Sequence, residues 1–77
     1  MYLFYMMTNG YIPMGTDGMK EINATTMRGV DRAARQFLGN RSGTVYFVEH
    51  WTQEMSDCTP PRFEEYIRTY GIKVAHS

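Results

Sequence analysis

TTMRGVDRAARQFLGNRSGTVYFVEHW, residues 25–51, decides the fold class, because it places a helix pattern directly before a strand pattern. Apolar side chains recur in its first half with the 3.6-residue period of a helix, at Met27, Val30, Ala34, Phe37 and Leu38. Residues 44–51 are rich in β-branched and aromatic side chains, which is typical of a strand. We predict a helix over residues 26–38, capped by Thr25 or Thr26, with a strand after it.

The stretch before this helix predicts a hairpin. Residues 2–7, YLFYMM, have the composition of a strand, and Asn9 and Gly10 can supply the positive φ angles of a type I′ turn. Because Pro13 lacks the N–H that an inner strand donates, the returning strand is expected to be either broken or long and twisted, with residues 19–24 resuming an extended form. Two antiparallel strands are therefore expected ahead of the helix.

The stretch after the strand predicts a second helix. Thr59 followed by Pro60 is typical of a helix start, and Gly71 is typical of a helix end. The face of this helix that is expected to be buried consists of Phe63, Tyr66, Ile67 and Tyr70. Residues 72–76, IKVAH, are an optional last strand. The order ββαβα(β) indicates one α+β domain over residues 1–77, a small antiparallel sheet of three to four strands with two helices on one face.

Both faces of the predicted strand carry apolar bulk. Alternation divides its side chains into Val45, Phe47, Glu49 and Trp51 on one face and Tyr46, Val48 and His50 on the other. If the helices cover one face, the other is an aromatic surface for a second subunit or a ligand. The alternative is that the second helix crosses to that side and buries it. Since small domains without disulfides often gain stability by assembling, we predict a homo-oligomer.

The sequence lacks the residue patterns that catalysis, metal binding and membrane insertion require. Cys58 is the one cysteine, so no internal disulfide is expected, and no Cys/His spacing suits zinc. Neither His50 nor His76 has a spacing that links it to a nucleophile, and the glycines form no phosphate-binding loop. A signal peptide and a run of about 18 apolar residues are also missing. We therefore predict a cytoplasmic, non-enzymatic protein without catalytic residues, cofactor, metal or membrane contact.

Arginines concentrate in one part of a chain whose formal net charge is zero. At about 100° per residue, Arg28, Arg32 and Arg35 lie on one flank of the predicted helix, and Arg41 follows its end. Arginine suits forked contacts with carboxylate or phosphate. Three roles are open: a solvated flank with an Asp31–Arg35 pair, contact with the acidic surface of a partner protein or of another subunit, and a site for an anionic ligand.

An anionic ligand would be of nucleotide type, because arginines beside aromatic rings can hold a phosphate and a base together. The candidate rings for such a site are Tyr5, Tyr46 and Trp51, with Tyr2 as a further one. Nucleic acid is not an expected partner. Its binding depends mostly on neutralised phosphates, and this chain has no net positive charge.

Residues 24–51, ATTMRGVDRAARQFLGNRSGTVYFVEHW, resemble the helix-then-strand segment of very small α+β proteins encoded by phages and other mobile elements. The resemblance lies in a pattern and not in a catalytic signature, so no functional residue is carried over. It implies a protein that binds and blocks a host enzyme or defence factor in the host cytoplasm. The alternative that it implies is sequestration of a nucleotide signal, for which the arginines and rings would meet at a subunit interface.

Overall fold

A computed structural model describes residues 1–13, 17–49 and 60–77. Within these residues the elements follow in the order β1 (Tyr2–Met7), β2 (Met19–Glu21), α1 (Met27–Leu38), β3 (Gly43–Val48), α2 (Pro60–Tyr70) and β4 (Ile72–His76). The α+β class and the predicted order are confirmed, and the optional last strand is formed. The strand predicted over residues 44–51 ends at Val48. His50 and Trp51 lie outside the described residues.

The strands form one antiparallel sheet in the order β2-β1-β3-β4. β1 and β3 occupy the middle and pair along their whole length, from Tyr2 opposite Val48 to Met7 opposite Gly43. Their apolar composition explains this position, because inner strands are shielded from water on both faces. β2 has three residues, in agreement with the break predicted around Pro13. The register of β4 on β3 shifts between Val45 and Tyr46.

The two helices lie on opposite faces of the sheet, so the prediction of two helices on one face is wrong. One core packs α1 against Leu3, Tyr5, Val45 and Phe47, and it includes Val30, Ala34 and Leu38 of the helix. The other core packs α2 against Phe4, Met6, Tyr46 and Val48, and it includes Phe63 and Ile67. The physical reason is that both faces of β1 and β3 are apolar, and each must be removed from water. The alternative arrangement, in which the second helix crosses over, is the one observed.

This arrangement removes the aromatic sheet face that was expected to form a subunit interface. Phe4 is fully buried beneath α2, where its ring meets the edge of the Phe63 ring at 5.6 Å between centroids and 73° between planes. Tyr46 and Val48 are buried in the same core. The side chains of residues 3–6 and 45–48, on both sheet faces, are therefore covered within one chain.

The turn after β1 differs from the predicted type I′ turn, because Asn9 does not have a positive φ angle. Gly10, with φ at 86°, supplies the left-handed position instead. The N–H of Gly10 donates to the Met7 carbonyl at 2.9 Å, and the N–H of Met7 donates to the Tyr11 carbonyl at 2.7 Å. Asn9 Oδ1 accepts the Tyr11 N–H at 3.1 Å, which holds Asn9 in its local turn. The result is a three-residue hairpin loop closed by glycine.

The ends of α1 follow the sequence prediction. Thr26 Oγ1 accepts the Gly29 N–H at 3.2 Å, which makes Thr26 the N-cap. At the other end Gly39 has φ at 56° and donates its N–H to the Arg35 carbonyl at 3.0 Å. This is the left-handed ending that glycine permits. Neither described helix has the length and apolar run needed to span a membrane.

One residue predicted for the buried face of α2 is exposed. Phe63 and Ile67 are buried and Tyr66 is half-buried, whereas Tyr70 is 66% exposed. Tyr70 is the last residue of α2, and Gly71 then takes the chain into β4. Because the helix ends there, the Tyr70 ring lies against Tyr66, at 4.7 Å between centroids, instead of against the sheet.

Candidate functional site

Three arginines of α1 form an exposed row, which we call the arginine ridge: Arg28, Arg32 and Arg35. The opposite side of the helix is buried against the sheet through Val30, Ala34 and Leu38. The ridge, Asp31 and Gln36 line one surface depression. The sequence prediction that these arginines share one flank is therefore matched by their positions in the fold.

The guanidinium groups of the ridge have no hydrogen-bond or ion-pair partner within the described part of the chain. Asp31, which is half-buried, lies in the same depression but does not form the predicted pair with Arg35 among those residues. Since each guanidinium presents five N–H donors in a plane, the ridge leaves three forks open to carboxylate or phosphate oxygens.

Arg41 does not join the ridge, in contrast to its place among the predicted binding residues. Its guanidinium N–H groups donate to the carbonyl oxygens of Phe37 and, at 3.1 Å, of Asp17, and its Nε lies 3.4 Å from the Leu38 carbonyl. The guanidinium carbon lies 4.0 Å from the centroid of the Tyr5 ring and 4.9 Å from that of Phe37. The side chain therefore caps the last carbonyls of α1 and joins them to the β1–β2 loop.

The predicted stacking rings that the structure describes are part of the core. Tyr5 is 5% exposed and donates its hydroxyl to the Ser42 carbonyl at 2.8 Å, while Tyr46 is 6% exposed beneath α2. Tyr2 is half-buried against that same core, on the face of the sheet opposite α1. Trp51 lies outside the described residues. None of the described candidate rings therefore lies beside the ridge, where the base of a bound nucleotide would stack.

A second group of polar side chains surrounds a groove that the sequence did not indicate. Arg68 of α2, Thr44 of β3 and His76 of β4 line it together with the turn at Asn9 and Gly10. These residues are far apart in the sequence, and only the pairing of β3 with β4 and the packing of α2 bring them together. The described residues contain no cluster of His, Cys, Asp and Glu that could hold a metal ion.

Comparison with known proteins adds no assignment to either surface. No protein-family model matches the chain, and no match is found among curated proteins or among solved structures.

Proposed function

We propose that this chain is a non-enzymatic binding module that attaches through its arginine ridge to an acidic surface of a partner protein. The observation that carries the proposal is the row of three exposed guanidinium groups on one face of α1. Arg28 and Arg35 are seven residues apart, which corresponds to about 10 Å along a helix axis. A row of this length fits several carboxylates on a protein surface better than it fits one small anion.

The absence of described rings beside the ridge favours a protein partner over a nucleotide. A nucleotide site needs a platform for the base, and Tyr5 and Tyr46 are buried. An acidic protein surface needs only charge and forked hydrogen bonds, which the ridge supplies. Sequestration of a nucleotide signal is the second candidate function, to be distinguished from the first by the same experiment.

The biological role that we propose is inhibition by occlusion. A small protein of a phage or another mobile element would cover an acidic site on a host defence factor in the host cytoplasm. The support is the pattern of residues 24–51 together with a compact fold that places three free cations in a row on one exposed helix face. Such a protein needs no chemistry of its own, because a bound surface is enough to exclude the natural partner of the target.

We expect neutralisation of the ridge to weaken binding to acidic polypeptide by about threefold to 150-fold, since exposed ion pairs contribute about 0.2–1 kcal/mol each and three are removed. The test compares the wild-type chain with Arg28→Gln/Arg32→Gln/Arg35→Gln. Fluorescence anisotropy of a labelled polyglutamate peptide gives the affinity at low salt, and added salt should weaken it.

A charge-matched control removes three exposed cations elsewhere: Lys20→Gln/Arg62→Gln/Lys73→Gln. It should retain the wild-type affinity. Equal losses in both triple variants would show attraction to net charge alone and contradict the proposal. If ATP bound the wild-type chain but not the ridge variant, while both chains bound polyglutamate with equal affinity, the nucleotide alternative would be established instead. A protein captured from host lysate supports the proposal if polyglutamate displaces it and the ridge variant fails to capture it.

Self-association stays a prediction, and we now propose the outer edge of β4 as its place, since helices cover both faces of the sheet. That edge has no neighbouring strand among the described residues, and Ile72 is 54% exposed beside it. Free strand edges readily pair with a second chain. Sedimentation velocity at micromolar concentrations should give a dimer or a larger assembly for the wild-type chain and a monomer for Ile72→Lys. A wild-type monomer would contradict the prediction.

A further inference from the structure

The groove between α2 and the turn after β1 carries side chains that can donate hydrogen bonds to an oxyanion. It has a volume of about 270 Å³, and its polar side chains come from Thr8, Asn9, Thr44, Arg68 and His76, while Met6, Met7 and Tyr46 line the rest of it. None of the described residues that line it carries a carboxylate. The polar side chains thus form one patch with a cation in a partly apolar groove, which suits one charged group of a ligand.

Arg68 reaches this groove beside Gly10. An arginine Nη atom lies 2.9 Å from the position that a Cβ on Gly10 would occupy, so the guanidinium rests against the turn. The φ angle of 86° is what favours glycine at this position. Within the described residues this guanidinium has no hydrogen-bond or ion-pair partner. Its donors therefore remain available to a ligand.

His76 is held on the other side of the groove. Its Nδ1 lies 2.8 Å from Thr44 Oγ1, and His76 pairs directly with Thr44 across the two strands. The pairing continues at Ser77, whose N–H donates to the Gly43 carbonyl at 2.9 Å. When the threonine hydroxyl donates to Nδ1, the imidazole proton lies on Nε2, which then becomes a donor.

Asn9 adds donors of the same kind. Its Oδ1 is already engaged by the Tyr11 N–H, so its side-chain NH₂ group is the part left for a ligand. Guanidinium, imidazole and amide donors, with the hydroxyl of Thr8, thus surround one small space. A phosphate monoester matches this set, since it has three strong acceptor oxygens and carries nearly two negative charges at neutral pH.

We propose that this groove, between Arg68 and His76, binds the phosphoryl group of a phosphate monoester. The proposal does not depend on the function assigned to the ridge. The two surfaces approach each other at a depression that Arg35 and His76 both line. Arg68 does not line that depression among the described residues, so a substitution at Arg68 separates the groove from the ridge.

The test is a titration of the full ¹⁵N-labelled chain with inorganic phosphate, followed by two-dimensional NMR at constant ionic strength. We expect saturable shifts at the backbone signals of Asn9, Gly10, Thr44 and His76. Arg68→Gln should raise the dissociation constant by about tenfold or more, because it removes a charge-assisted contact. Arg62→Gln, an exposed arginine of the same helix, should leave the constant unchanged. Unchanged spectra away from the groove establish that both variants are folded.

Shifts that do not saturate, equal losses in both variants, or shifts centred on α1 would overturn the proposal. The last of these would place phosphate on the ridge, and the groove would then have no ligand role. Phosphoserine and adenosine 5′-monophosphate carry the same phosphate monoester on different groups. Tighter binding of either one than of inorganic phosphate, lost in Arg68→Gln, supports the groove and identifies the source of the phosphoryl group.

Discussion

Phe4→Ala is expected to lower the free energy of unfolding by about 3–5 kcal/mol, the usual cost of removing a buried phenylalanine ring. Phe4 is fully buried between β1 and α2 and contacts the Phe63 ring edge-on. A domain of this length has a total stability of about 4–12 kcal/mol, so the variant should lose at least about a quarter of it, and nearly all of it at the lower end of that range. Urea denaturation followed by circular dichroism measures the change.

Tyr70→Ala is the matched control for that experiment. It also removes an aromatic ring from the α2 side of the molecule, but Tyr70 is mostly exposed and its described ring contact is with Tyr66. The expected loss is about 1 kcal/mol or less, since surface substitutions rarely cost more. If Phe4→Ala cost as little as Tyr70→Ala, α2 would not be packed on the sheet in solution, and the two-sided core would be contradicted.

Arg41→Ala is expected to destabilise the protein by about 2–3 kcal/mol although arginine is usually a surface residue. Three carbonyl groups, of Asp17, Phe37 and Leu38, lose a charged donor, and the Tyr5 ring loses the cation above it. Two of these carbonyls belong to the last turn of α1, where no helical N–H remains to bond them. The Leu38 carbonyl keeps the backbone N–H of residue 41 at 3.0 Å, so the carbonyls of Phe37 and Asp17 account for most of the expected loss. Thermal and urea unfolding should both show the loss.

Arg41→Lys tests whether charge alone is enough. A lysine keeps the positive charge but cannot reach several carbonyls with a planar fork, so we expect it to recover less than half of the stability. Arg35→Ala, an exposed arginine on the same helix, should change stability by about 0.5 kcal/mol or less. In binding, the two alanine variants should rank in the opposite order to their ranking in stability. Folded Arg41→Ala should retain its affinity for polyglutamate, whereas Arg35→Ala removes one cation of the ridge. An Arg41→Ala variant as stable as Arg35→Ala would refute the capping role.

Local patterns predicted the elements of this fold well, because each was encoded within a few neighbouring residues. The apolar period over α1 and its end at Gly39 agree with the observed helix Met27–Leu38. The composition of residues 2–7 agrees with the observed β1. The predicted type of the turn was wrong, since Asn9 can use its side chain to form a local turn without a positive φ angle.

The side of the sheet that α2 covers was not encoded locally. The period of a helix shows which of its own faces is apolar, but β1 and β3 offer two apolar sheet faces of similar character. The choice then depends on the path of the chain between β3 and α2. The same limit applies to Arg41, because the 100° rule that aligned Arg28, Arg32 and Arg35 no longer holds after Gly39.

The groove at Arg68 and His76 lay beyond any local pattern. Its donors come from a turn, two strands and a helix, and no spacing in the sequence relates them. Only the three-dimensional positions of Gly10 and Arg68 show that this guanidinium lies against the turn.

The central place of β1 in the sheet sets the order in which the protein can fold during its synthesis. β1 is made before the other described elements, yet its full-length partner is β3, which emerges only after α1 has been completed. Until then the three residues of β2 are the strand available to it. The contacts at the middle of the molecule are thus among the most distant along the chain, and such contacts form slowly. A nascent chain stopped before Val48 has an apolar first strand without its main partner, which makes it a natural substrate for chaperones.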